Sequence, residues 1–572
     1  MIRSGILAII SALAIGFSAS ALNAETAAPG RDFSGFIVTT TQATASDVGA
    51  DIIRRGGSAA DAAVAVQAVL GLIEPSSSGI GGGAFMVYRD AKTGKVSTYD
   101  GREVAPAATK GDQFLGADGK PSFDKWFGGL GVGVPGTIPM LALAHKEHGK
   151  LPWASLFDPA IKIANDGFPI DEHLHQSTQF PPGLKDSPTA AAYLFKDGTA
   201  LPVGTVLHNP AYAQTMKALA KNPRALNEGK IAKDIVYTIN HAFKNPQAMT
   251  LKDLSSYEAK ERDPACGPYR DYTVCGMGLP SSGGIIILET LGMLQHFPLP
   301  KLGAKNPQSW HLIAEAERLA FADRAKFLGD SDVIDVPVKG LIDSGYLKDR
   351  AALIDPKHAA PGPREAGEPP HQTGMLYAPA PFSTLPSTTH FTIVDKDGNV
   401  ASITSSIQLG FGSQIMVDGF FLNNELTDFS MVPVVNGKLV ANAAAGDKRP
   451  LSSMSPTIVT DKDGKLVMAV GSPGGVRIIG YVVKALIGVL DWNMPMQDAI
   501  DLPNFMNLNG KTDIESGPGT DALSAALKAK GHDVDEMQRA APALEGFRVI
   551  PGGYDGGTDK HRDGKIAGGA PL

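Results

Sequence analysis

The stretch from Thr388 to Ser406 limits the possible fold more than any other part of the chain. Phe391 to Val394 and Val400 to Ser405 are rich in β-branched and apolar residues, and Asp397-Gly398 supplies the turn chemistry of a hairpin. Pairing symmetric about Asp397 sets Thr388 opposite Ser406, His390 opposite Thr404 and Thr392 opposite Ser402. Side chains alternate across a strand, so these six share one face, while Phe391, Ile393, Ala401 and Ile403 share the other. The apolar face demands a packing layer. The opposite face, with its hydroxyls and one imidazole, reads as a wall of an active site that begins at Thr388.

A threonine hydroxyl is a weak nucleophile without a base. Making Thr the first residue of a chain solves this, because its own α-amine can take the proton. That requires a cut between Ser387 and Thr388. The preceding stretch, Asp355 to Pro386, is dense in Pro, Gly and Ala and has no period, so it reads as a loop that ends at Ser387.

The other end of the chain carries a targeting signal. Arg3 is followed by an apolar run from Ile6 to Phe17 and then small residues, with Ala19-Ser-Ala21 or Leu22-Asn-Ala24 as the cleavage site. The run is shorter than the ~20 residues of a membrane span, which favours a secretory signal over residues 1–24 against an uncleaved anchor. The expected location is the periplasm or the exterior. Two cysteines, Cys266 and Cys275, then permit one disulfide across a short hairpin turning at Tyr269-Arg-Asp-Tyr272, or two buried thiols. With 572 residues, a net charge of −7 and no basic cluster, nucleic acid is not an expected partner, and one large α/β unit or several domains are both allowed.

Two helices, Ala45 to Arg55 and Ala59 to Ile73, follow a strand at Phe36 to Thr41, and the second is apolar on nearly every face and should be buried all round. Residues 137–330 read mainly as helix, with Ser309 to Leu328 the clearest. Two dinucleotide-like patterns, Gly79 to Ala84 and Gly131 to Gly136, have the wrong strand order or an internal Pro, and read as tight turns. Gly471-Ser-Pro-Gly-Gly475 ahead of a helix is a nest of N–H donors suited to an oxyanion, or a plain strand-to-helix turn. Arg102 with Ser452 and Ser453 can bind a carboxylate, and Glu425 with Asp428 can hold an ammonium; the alternative for each is ordinary surface charge. No metal-ligand pattern is present in the sequence, and neither metal nor cofactor is expected.

Thr388-Thr-His-Phe-Thr-Ile-Val-Asp-Lys-Asp-Gly-Asn399 resembles the start of the small subunit of the γ-glutamyltransferases, self-cleaving N-terminal-nucleophile hydrolases. Pro75 to Phe85, Asp100 to Pro106, Gly133 to Gly136, Pro280 to Gly284, Ala322-Asp-Arg324, Asn423-Asn424, Lys448 to Thr457 and Gly471 to Gly475 resemble further blocks in the family's order. The resemblance implies a four-layer αββα sandwich, an α/β (α+β) fold. It implies one chain cut into a large subunit, 25–387, and a small catalytic subunit, 388–572, which stay together as a heterodimer. It implies Thr388 as nucleophile, assisted by Thr389 and Ser406, with Gly474 and Gly475 as oxyanion hole. Arg102, Ser452 and Ser453 match the site for the donor's α-carboxylate; Glu425 and Asp428 match the site for its α-amine. Ser406 and Gln408 stand where the family often has Thr and Asn, and the loop from Phe429 to Arg449 looks short and lacks the Tyr of many members' lids. The implied substrates are glutathione or another γ-glutamyl amide, with water or an amino acid as acceptor. A glutaryl-cephalosporin acylase on the same fold, and an uncut periplasmic binding protein, are the alternatives.

Overall fold

The computed structural model describes residues 32–179, 183–372, 377–380, 387–517, 519–537 and 543–570. The expected signal, residues 1–24, lies outside them. Two seven-stranded sheets form the centre. Their strands are β1 (Asp32–Phe33), β2 (Ile37–Thr40), β3 (Gly83–Arg89), β4 (Val96–Gly101), β5 (Lys260–Arg262), β6 (Ala265–Tyr269), β7 (Tyr272–Gly276), β8 (Thr389–Val394), β9 (Val400–Ser406), β10 (Thr457–Asp461), β11 (Leu466–Gly471), β12 (Glu545–Ile550), β13 (Gly553–Thr558) and β14 (Lys565–Gly568). The first sheet runs β14-β2-β8-β9-β3-β4-β5 and the second β1-β13-β12-β11-β10-β7-β6, with every neighbouring pair antiparallel.

Helices α1 (Ala43–Arg54) and α2 (Ala59–Ile73) pack on the outer face of the first sheet, sharing a core with Phe391, Ile393, Ala401 and Ile403. Helices α3 (Gly283–Leu294), α4 (Pro307–Phe327) and α5 (Ile478–Leu490) share a second core with Val459, Met468 and Phe547 of the second sheet. Helix, sheet, sheet and helix make the expected four layers. All fifteen residues of α2 are buried, and Ser58 starts it with a reciprocal cap: Asp61 N–H donates to Ser58 Oγ at 3.2 Å, and Ser58 N–H to Asp61 Oδ2 at 2.8 Å.

The β8–β9 register matches the expectation, with His390 opposite Thr404 and Thr392 opposite Ser402. The role of its polar face needs correction. His390, Thr392, Ser402 and Thr404 are fully buried and lie between the two sheets, not along a cavity. A Cβ on Gly471 of β11 would come within 2.2 Å of the His390 ring, so glycine there lets the second sheet close over the imidazole. His390 Nδ1 meets Thr404 Oγ1 at 2.8 Å, Thr392 and Thr39 hydroxyls bond at 2.7 Å, and burial pushes the imidazole down to about 3. Only the ends of the hairpin, Thr388 and Ser406, reach the site. In the mainly helical middle, β6 and β7 form the hairpin anticipated between the cysteines, and Cys266 and Cys275, directly opposite, are disulfide-bonded.

Candidate active site

Thr388 stands just before β8, where the hairpin opens beside the second sheet, and is buried. Its Oγ1 lies against the carbonyl oxygen of Ser387 and 3.4 Å from Ser406 Oγ. Ser406 Oγ is also 3.4 Å from that carbonyl oxygen and accepts the Gln408 N–H at 2.8 Å. The hydroxyl is therefore next to the peptide group it would attack in an N-to-O acyl shift. Opposite, Gly471 to Gly475 leave β11 and lead through a short 3₁₀ turn into α5. Gly474 and Gly475 have φ of +135° and +60°, and a Cβ on Gly474 would meet the Tyr481 ring at 2.7 Å. Gly475 lines the same cavity as Thr388 and Ser406.

The far wall of that cavity carries charge. Arg102 and Glu425 are almost fully buried, and Asp428 is about one-fifth exposed, which rules out the reading as surface charge. Arg102 Nη1 donates to Glu425 Oε2 at 2.6 Å and Nη2 to Asp428 Oδ2, while Nε donates to the Pro450 carbonyl at 3.0 Å. The resemblance assigns Arg102 to one end of a donor and the two carboxylates to the other; here all three form one cluster. Gln408 Nε2 donates to Asp428 Oδ1 at 2.5 Å, so the longer amide still links the nucleophile's loop to the acidic pair. Burial, reinforced by Asp428 and opposed by Arg102, pushes the Glu425 carboxyl up to about 7. Burial and Glu425, opposed by Arg102, hold the neighbouring Glu103 carboxyl well above the usual carboxylate range. Ser452, Ser453 and Leu451 complete this wall.

Comparison with known proteins agrees with this geometry. The family described as Gamma-glutamyltranspeptidase matches residues 45–569. The chain belongs to that family. A glutathione hydrolase proenzyme of Escherichia coli (strain K12) is 37% identical over 530 residues, spanning 90% of this chain and 88% of the relative. A glutathione hydrolase proenzyme of Bacillus subtilis (strain 168) is 37% identical over 552 residues, spanning 93% and 91%. In fold, the chain is similar to a cephalosporin acylase from Bacillus halodurans, with a TM-score of 0.83 at 24% identity over 98% of this chain and 100% of that one.

For a γ-glutamyltranspeptidase-family chain, the second threonine has an informative position. Thr389 Oγ1 points away from the cavity and donates to Glu74, at the end of α2. Glu74 also accepts Thr41 Oγ1 at 3.1 Å and is ion-paired to Arg562. Arg562 reaches on to the Thr388 carbonyl at 3.4 Å and to Ser77 Oγ at 3.1 Å. Glu74 and Arg562 were missed from the sequence: one is a helix-terminal acid and the other a C-terminal basic residue, and nothing in their spacing joins them. Arg324 and Asn442 were missed too, although both line the cavity. Ala322-Asp-Arg324 offered a signal, since a basic residue in the last turn of a buried helix needs a reason to be there.

The short loop after Asp428 carries a small hairpin, Val434–Val435 with Lys438–Leu439. The segment upstream of Ser387 meets it, with Ala378 N–H donating to the Leu439 carbonyl at 2.9 Å. Among the described residues, no group of acidic, His or Cys side chains is arranged to hold a metal, and no helix is long and apolar enough to cross a membrane.

Proposed function

We propose that the chain is an exported proenzyme that cuts itself before Thr388 and then acts as a γ-glutamyltransferase and glutathione hydrolase. The observation that carries this is the Thr388 hydroxyl, against the Ser387 carbonyl at the mouth of a cavity that also holds Gly475, Arg102 and Asp428. Thr388 Oγ1 attacks the Ser387 carbonyl carbon and the Ser387–Thr388 C–N bond breaks. The resulting ester is hydrolysed, leaving Ser387 as a carboxylate and Thr388 with a free α-amine. Residues 25–387 and 388–572 stay associated, since both pieces contribute strands to both sheets.

In turnover, the amine takes the Thr388 hydroxyl proton as Oγ1 attacks the γ-carbonyl of glutathione or a similar amide. The N–H groups at Gly474 and Gly475 stabilise the oxyanion. The proton passes to the leaving amine, and a γ-glutamyl-threonyl ester remains. Water or an amino acid resolves it and regenerates Thr388. The donor's head group is held by Asp428 and Glu425 at its ammonium and by Arg102, Ser452 and Ser453 at its carboxylate, with Ser406 beside the nucleophile, Gln408 tied to Asp428, and Thr389 anchoring the start of β8 through Glu74.

N-terminal sequencing of the purified protein tests the first step, and hydrolysis of glutathione the second. A terminus reading Thr-Thr-His-Phe together with released glutamate is expected. A single uncut chain, or a cut chain inert on glutathione, refutes the reading.

A further inference from the structure

The loop from Phe429 to Lys448 borders the donor cavity through Asn442. One buried side chain draws it together. Lys448 is 4% exposed, and its ammonium donates to the Ala441 carbonyl at 2.8 Å and to the Ala443 carbonyl at 2.9 Å, on either side of Asn442. The same Nζ lies over the Phe429 ring, 5.9 Å from its centre, at the loop's other end. Phe429 and Ala444 pack with Ala105, Phe114 and Leu426 in a small apolar cluster of their own. The lysine's backbone is anchored outside the loop, where its carbonyl accepts the Ala105 N–H at 2.9 Å. An ammonium is costly to bury, and burial pulls its pKa down to about 8, with Asp330 opposing. Two carbonyl dipoles and a ring face offset that cost.

Asn442, held between those two carbonyls, spans the cavity's edge. Its Nδ2 donates to the Asp428 carbonyl at 2.7 Å, its Oδ1 accepts the Leu451 N–H at 3.0 Å, and its own carbonyl accepts the Ser430 N–H at 2.9 Å. The Leu451 side has further fastenings: Ser452 N–H donates to the Pro280 carbonyl at 2.9 Å, and the Ser452 carbonyl accepts Ser282 N–H and Oγ at 2.8 and 2.7 Å. Loosening the loop therefore displaces Asp428 and leaves the serines where they are. We infer that Lys448 is a positioning residue: by gathering the carbonyls beside Asn442 it holds the loop as a fixed rim, and through Asn442 it sets Asp428 against the donor's ammonium. This rests on the γ-glutamyl reading above and adds to it a residue that touches neither the substrate nor Thr388.

Three anilides test this: γ-glutamyl-p-nitroanilide, 4-aminobutyryl-p-nitroanilide, which keeps the ammonium but lacks the carboxylate, and glutaryl-p-nitroanilide, which keeps the carboxylate but lacks the ammonium. Lys448→Met fills the same space without the charge. It is expected to raise KM about 5- to 20-fold for the first two donors, with the third within about twofold of wild type. Asn442→Ala should do the same, and the double variant should be no worse than the poorer single one, because Lys448 acts through Asn442. Amide hydrogen exchange in Lys448→Met should quicken over residues 429–447 and not in the two sheets. Equal losses on all three donors, no loss on any, additive losses in the double variant, or faster exchange throughout the chain overturn the inference. If Lys448→Met does not accumulate as a folded, cut protein, Lys448→Arg makes the same comparison, with a smaller KM rise confined to the two ammonium-bearing donors; a uniform change again overturns it. Wild-type protein inert on γ-glutamyl-p-nitroanilide would instead overturn the proposed function.

Discussion

Charge is arranged differently on the two sides of Thr388. On the cavity side, Arg102, Glu425 and Asp428 form a cluster that borders open space, and Asp428 is partly exposed. On the rear side, Glu74, Arg562, Thr389 and Thr41 close on one another, with Glu74 wholly buried and Arg562 nearly so. The front cluster can exchange partners with a ligand. The rear cluster has no such freedom and can only hold the start of β8 in place. One side is built for binding and the other for position, and substitutions should separate the two.

The largest effect is expected at the residue between them. Thr388→Ala removes the nucleophile of both cleavage and turnover, so one full-length chain and no glutathione hydrolysis should result. A normal two-chain product from this variant would falsify the scheme whatever the flanking clusters do.

Next in size is the rear. Glu74→Gln leaves the Arg562 guanidinium buried without its ionised partner, a change that costs about 3–5 kcal/mol in comparable sites. The melting temperature should fall clearly and cleavage should slow, with the mature fraction keeping its KM for γ-glutamyl donors. If KM rises while stability holds, the division between binding side and positioning side is wrong.

Asp428→Asn probes the front. Stability should fall less than in Glu74→Gln, because Asp428 is partly exposed and Arg102 keeps Glu425 as a partner. Turnover of γ-glutamyl-p-nitroanilide should drop about 10- to 100-fold in kcat/KM, with glutaryl-p-nitroanilide far less affected, since only the first has an ammonium to lose. Equal losses on both donors would make Asp428 structural, like Glu74.

The same division explains what the sequence disclosed. The hairpin register, the buried helix α2 and the glycine turn from strand to helix at Gly471 to Gly475 were legible because each follows from local periodicity or turn chemistry. The front residues were legible as chemistry, since Arg102, Ser452 and Ser453 suit an anion and Glu425 and Asp428 a cation. Their mutual pairing was not, because it joins positions 102 and 428 through the tertiary fold. The rear cluster depends on contacts between residues 74, 389 and 562 and had no local trace. The polar face of β8–β9 misled for a related reason: hydroxyls on a strand signal either a cavity or a hydrogen-bonded layer, and only the second sheet, closing through Gly471, decides between them.

The smallest expected effect concerns Glu425, and it tests whether the front cluster responds to solution conditions. Its carboxyl is pushed up to about 7 from an ordinary 4.5, chiefly by burial. Between those values the folded protein holds a proton that the unfolded chain has released. The group's contribution to stability is therefore present below about 4.5 and lost as pH rises through about 7. Binding should run the other way. Above about 7 the carboxylate is ionised and adds attraction for the donor's ammonium, so KM for γ-glutamyl-p-nitroanilide should fall roughly 3- to 10-fold between about pH 6 and 8. The 4-aminobutyryl anilide should show the same trend and the glutaryl anilide should not. In Glu425→Gln the step should vanish. A KM that rises over this range, or a step that survives the substitution, would mean that another group titrates and that Glu425 belongs, like Glu74, to the positioning side.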